Sequence, residues 1–215
     1  AYGAIPVLFF NGAQGDIAMR QQVHPQATAD RPETQIMRFG GTLAGETLRL
    51  LHEMQPTREV RLRHLHRELE FPVRLPDRET LDHARKVVDR MRAGEDIAGA
   101  EAIFAWGPVS LAEQFGEHPV DRLPFHALRI DDLAIATQPF ELFCQYQIDL
   151  KRRSPSAHTA WFGLTNGSGG YLPTLYGALG GGYSGTPFAW ARFAPEVGCQ
   201  VVDRVAAMLH ELWCS

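Results

Sequence analysis

Apolar residues come in blocks along this chain, and the spacing inside each block predicts an element. Ile5-Pro-Val-Leu-Phe-Phe10 is a continuous apolar run closed by Asn11-Gly12. It reads as a buried strand that delivers a polar, glycine-rich loop over residues 11–16. Between Pro32 and Met54 the side chains of Ile36, Phe39, Leu43, Leu50 and Met54 share one stripe of a predicted helix, with Gly40-Gly41 as a weak or closely packed point. Val60 to Val73 alternates and is rich in Arg and His, the pattern of an exposed strand. Asp77-Arg-Glu-Thr80 opens a polar amphipathic helix to Arg92, and a second helical stretch, Ile97 to Phe115, is interrupted at Gly107-Pro108. Leu123 to Ile130 and Leu133 to Thr137 flank Asp131-Asp132 as a hairpin. A helix from Glu141 to Arg153 follows, and its final Lys151-Arg152-Arg153 suits the helix dipole. Thr159 to Leu164 is a further buried strand ending in Asn166-Gly-Ser-Gly-Gly170-Tyr171, and Gly177 to Pro187 reads as a long loop. Ala194-Pro195-Glu196 opens the last helix, with Val197, Val201, Val205, Met208 and Leu212 on one stripe.

Strands and helices alternate and mix, so the expected fold class is α/β (mixed α+β), with strands delivering Gly-rich loops and helices flanking them. The 215 residues are read as one domain, 1–215, with a charged peripheral segment at about residues 58–118. The opening Ala-Tyr-Gly-Ala runs almost at once into the first strand, which reads as a start inside a domain whose N-terminal half lies upstream. A net charge of −4 gives no basic field for nucleic acid or an anionic membrane, and no apolar run is long enough to span a bilayer. Cys144, Cys199 and Cys214 have no zinc-type spacing.

Three predicted strand ends carry polar or Gly-rich segments: Asn11–Asp16, Gln138–Glu141 and Asn166–Tyr171. If they share one sheet edge, Asp16, Glu141 and Tyr171 converge. Each residue has a plain reading beside the chemical one. Glu141 is either a first-turn acid on the helix dipole or a carboxylate ligand or general base. Asp16 is a turn or cap residue or a site carboxylate. Tyr171 and Tyr183 are packing residues or working phenols. His64 and His66 share a strand face, which suits solvent or a metal, and His158 is a structural histidine or a site-lining one. Gly180 to Gly185 lacks the Lys-Ser/Thr ending of a phosphate-binding loop, and no nucleophile elbow or His-Glu-x-x-His is present.

Taken together and in order, Phe9-Phe-Asn-Gly-Ala-Gln-Gly-Asp16, Ala136-Thr-Gln-Pro-Phe-Glu141 and Phe162-Gly-Leu-Thr-Asn-Gly-Ser-Gly-Gly-Tyr-Leu-Pro-Thr174 resemble the neutral/alkaline non-lysosomal ceramidase family, over the C-terminal part of its catalytic domain. The resemblance implies a zinc-dependent hydrolase of an N-acyl amide bond with metal-bound water as nucleophile. It implies Glu141 and Tyr171 as zinc ligands, two histidine ligands upstream of this chain, Tyr183 on the substrate's amide oxygen and Asp16 in the site loop. The implied partners are an N-acyl lipid or other small amide and the N-terminal half of the same domain, and the implied location is extracytoplasmic. Two positions depart from the family pattern. Ala18 stands where the family has a serine, which excludes covalent catalysis through that position, and Phe140 replaces the glycine before the family glutamate. These departures motivate an alternative, a catalytically silent binding protein on the same fold; hydrolysis of another amide or an ester is a third reading.

Overall fold

The computed structural model describes residues 6–18, 32–55 and 59–214. The chain divides into two compact units, residues 18–60 and the remainder. Among its described residues the smaller has one helix, α1 (Pro32–Glu53). Its expected apolar stripe is exposed, with Ile36, Phe39, Leu43, Leu50 and Met54 each more than half accessible. Arg49 bridges Glu46 and Glu53 on the same helix, the i,i+3 and i,i+4 pairing that supports an exposed helix.

In the larger unit the exposed-type alternation becomes β1 (Leu62–Pro72). Two helices follow, α2 (Arg78–Arg92) and α3 (Ala100–Phe115). Asp77 caps α2 by accepting from the Thr80 amide at 2.8 Å, as the capping stretch predicts. α3 continues through Gly107-Pro108, which corrects the expected break. Pro108 removes one amide donor, but Gly107 sits against Phe188 and Pro108 is itself buried, so packing holds the turn. The two helices share a small core of Ala84, Val87, Val88, Ala105 and Val109.

β2 (Val120–Ile130) pairs antiparallel with β1 over eleven residues and turns at Asp131-Asp132 into β3 (Leu133–Thr137). Asp131 takes a φ of 52°, which a short polar side chain tolerates. The chain then forms β4 (Phe140–Leu142), α4 (Cys144–Arg153), β5 (His158–Phe162) and β6 (Gly170–Leu172). β5 is parallel to β3, giving a four-stranded sheet in the order β1-β2-β3-β5, and β4 and β6 form a separate parallel pair. The segment read as a long loop instead holds two short helices, α5 (Leu175–Leu179) and α6 (Gly182–Gly185). Thr174 starts the first of these by capping the Gly177 amide. The last helix, α7 (Pro195–Cys214), buries all five residues of its predicted stripe, packing on β1, β2 and α4. The fold is therefore α/β with mixed sheets and flanking helices, and no helix among the described residues is long and apolar enough to cross a membrane.

The core centres on Phe71, Phe125, Phe140 and Phe193, all fully buried, with ring centroids 5.4–6.4 Å apart in tilted or edge-on contacts. Such contacts add about 0.5–1.5 kcal/mol each beyond area burial. Phe140 is thus a core residue.

Residues 6–10 do not form the expected buried strand; Ile5 lies outside the described residues. Val7, Leu8 and Phe9 are 74–83% accessible. A strand of this composition needs ladder partners and cover on both faces. This one meets β5 only at its end, where Phe10 stacks on Phe162 at 4.3 Å and the Gly163 amide donates to the Asn11 carbonyl at 2.9 Å.

Candidate active site

The three polar or Gly-rich segments meet. The Gly15 amide donates to the Leu142 carbonyl at 2.7 Å, Thr165 to Gln138 at 3.0 Å and Gly169 to Pro139 at 2.6 Å. Ala13 donates to the Gln147 side chain at 2.6 Å. Close approach requires glycine here: a Cβ on Gly15 would lie 2.2 Å from the Glu141 carbonyl oxygen, and one on Gly170, where φ is +73°, would lie 2.3 Å from that of Trp190.

Glu141 does not open a helix. Residues 140–142 are tied into a ladder with 170–172, and α4 begins only at Cys144. The reason is a cap supplied from 128 residues away: Asp16 Oδ1 accepts from the Cys144 amide at 2.7 Å, and the Cys144 thiol faces Oδ2 at 3.3 Å. Asp16 therefore locks the 11–16 loop onto the start of α4. Burial and the Asp16 carboxylate push the Cys144 thiol above its usual range, so it is no ready nucleophile.

The parallel pairing sets Glu141 directly beside Tyr171. The Tyr171 phenol lies beside the Glu141 carboxylate, and burial first, then the accepting and negatively charged Glu141, pushes it up to about 12. Tyr183 meets the Tyr171 ring edge-on at 5.6 Å and 82°. So Glu141, Tyr171 and Tyr183 are brought together, while Asp16 serves the adjoining helix start.

Trp190 was not singled out from sequence, yet it joins both tyrosines. Its ring stacks on Tyr183 at 5.0 Å, its Nε1 donates to the Tyr183 carbonyl at 2.8 Å, and its own carbonyl accepts from the Tyr171 amide at 2.6 Å. Arg192, only 9% accessible, secures that segment. It pairs with Asp121 on β2 at 2.6 Å and donates to the Ser168 and Ala189 carbonyls at 3.0 and 2.9 Å. The alternation Phe188-Ala-Trp190-Ala-Arg192 is the local signal available for it; its partner Asp121 has none.

At the carboxyl ends of β4 and β6 lies a cleft of about 620 Å³, lined by Asp16, Cys144, Thr174, Tyr176 and Glu196 among others. Asp16 joins this cleft to the candidate site, while Glu141, Tyr171 and Tyr183 are not among its lining residues. The remaining candidates lie elsewhere. His158 is exposed at the far end of β5, and His64 and His66 are on the exposed face of β1. Lys151–Arg153 end α4, where Arg153 pairs with Asp203 at 2.5 Å.

Among the described residues no group of three or more His, Cys, Asp or Glu side chains is placed to hold a metal ion. Glu141 and Tyr171 place a carboxylate and a phenol, two oxygen-bearing side chains, side by side on adjacent strands. Compared with profiles of known protein families, with curated proteins and with solved structures, the chain matches none.

Proposed function

We propose that this chain belongs to a ceramidase-like zinc-dependent hydrolase of an N-acyl amide bond. The observation that carries the reading is the Glu141–Tyr171 pair, held in register by parallel strands with Tyr183 against it. Glu141 and Tyr171 would hold the metal, and two further ligands would come from outside the described residues. Zinc, when bound, supplies a Lewis acid and a nucleophilic water at neutral pH. Tyr183, 55% exposed and braced by Trp190, would donate its phenol proton to the amide oxygen as charge develops there, an interaction worth a few kcal/mol of barrier. Asp16 would act on position, fixing the loop that packs on Glu141. The substrate would be an N-acyl lipid or another small amide.

The test is hydrolysis of N-acyl lipids and N-acyl amino compounds by the full-length protein, with and without a chelator. Turnover that the chelator abolishes and zinc restores supports the reading. A protein that folds without metal and turns over none of these amides overturns it in favour of a silent binding protein. Turnover indifferent to the chelator overturns the metal assignment.

A further inference from the structure

Three imidazoles share the outer face of the β1–β2 pair. His66 and His126 are direct cross-strand partners, and His64 lies two residues before His66 on the same face. The His126 ring stacks against both, at 5.1 Å to His64 and 4.7 Å to His66. Both of its nitrogens are engaged: Nδ1 is 2.9 Å from His64 Nε2, and Nε2 is 2.9 Å from the side-chain nitrogen of Asn166. The amide nitrogen can only donate, so His126 Nε2 accepts, and Nδ1–H donates to His64. This is the bonding of a neutral ring. Asn166 belongs to the loop that runs into Gly170 and Tyr171, and its φ of +59° is a left-handed conformation that asparagine tolerates.

We propose that His126 is a proton-operated latch on Asn166, at the tip of the 163–169 loop: neutral, it holds Asn166 against the sheet, and protonated, it releases that tip, while the ends of the loop stay tied by the backbone bonds of Gly163, Thr165 and Gly169. A proton on Nε2 would point at the amide N–H groups, donor against donor. It would also set a cation against the rings of His64 and His66. The groups facing the ring offer little compensation. From β1 come His64, His66 and Glu68, the last 3.2 Å from His66 and already 3.8 Å from Arg122 of β2. From β3 comes the neutral Thr137, which accepts from the His126 amide, and from the loop the neutral Asn166. Burial first, and then the two neighbouring histidines, hold His126 below the usual 6.5. The neutral latch is therefore complete above pH 6.5 and is lost as pH falls through the lowered value.

The latch stands on its own geometry; its effect on activity rests on the reading of Tyr171 above. The test is imidazole titration by NMR with amide protection factors for residues 163–169 between about pH 7.5 and 5.5. Protection should fall about tenfold on acidification, in step with protonation of His126. Asn166→Asp tolerates the same backbone and supplies an acceptor for the imidazolium, so its loop should be better protected at low pH, the reverse of wild type. His126→Gln should abolish the pH response. Unchanged wild-type protection, as when the Asn166 amide simply turns over, or an Asn166→Asp loop that still opens in acid, overturns the proposal. If protection responds as expected while hydrolysis does not follow it, the latch stands and the reading of Tyr171 falls.

Discussion

Gly15→Ala is the sharpest probe of how the three loops are joined. The added methyl would sit 2.2 Å from the Glu141 carbonyl oxygen, 2.9 Å from the Glu141 carbonyl carbon and 3.1 Å from that of Leu142. These are backbone atoms of a laddered strand, so no side chain can swing away. Restoring a contact of 3.4 Å separates loop and strand by 3.4 − 2.2, about 1.2 Å. The Gly15–Leu142 bond, now 2.7 Å, would open to about 3.9 Å, beyond hydrogen-bond range. The adjacent Asp16–Cys144 cap, also 2.7 Å, would be strained with it. Two bonds at about 1–2 kcal/mol each, the second to a charged acceptor, give a loss of about 2–4 kcal/mol. Urea unfolding measures this as a lower midpoint at unchanged slope. Asp16→Ala, which removes only the cap, should cost about 1 kcal/mol. If Gly15→Ala unfolds within about 0.5 kcal/mol of wild type, the loop is not seated against β4 and the convergence argued here is wrong.

Burial, the larger cause, persists in Glu141→Gln, but the charge facing Tyr171 is gone, so the phenol should come partway down from about 12 in an ultraviolet titration. Because the raised value favours the neutral phenol in the folded state, the wild-type contribution to stability is full below pH 10 and is lost as pH rises towards 12; the variant should lose less over that window. Arg192→Met leaves Asp121 half-buried without its partner and two carbonyls without a donor, so thermal unfolding should register a loss of about 3–5 kcal/mol, part of it recovered when Asp121 is also made apolar. Phe140→Ala empties the centre of the aromatic cluster and should cost about 3–5 kcal/mol by the same assay; a loss under about 1 kcal/mol would remove Phe140 from the core.

Local signals made much of this legible. The α7 stripe and the turn at Asp131-Asp132 were readable because one face or one tight turn determines each. The order of Gly-rich segments after strands was enough to group Glu141 with Tyr171, since parallel neighbours deliver their ends to the same side. What stayed hidden depends on distant residues. Glu141 looked like a first helical turn because the cap that starts α4 at Cys144 comes from Asp16. Trp190 and Arg192 work through the Tyr171 amide and Asp121, both distant in sequence, as well as through the nearer Tyr183 carbonyl. His64 and His66 read as a solvated pair, and only the β1–β2 register adds His126. Residues 6–10 show the converse failure: an apolar run predicts burial, but burial requires partners that the run itself does not specify.

The most direct test of the central claim is the zinc content of the full-length protein, wild type against Glu141→Ala and Tyr171→Phe. The account predicts one zinc per wild-type chain and at least about tenfold weaker binding in each variant, with the folded state retained. A wild-type protein that binds no zinc, or variants that keep it at full occupancy, would contradict the account.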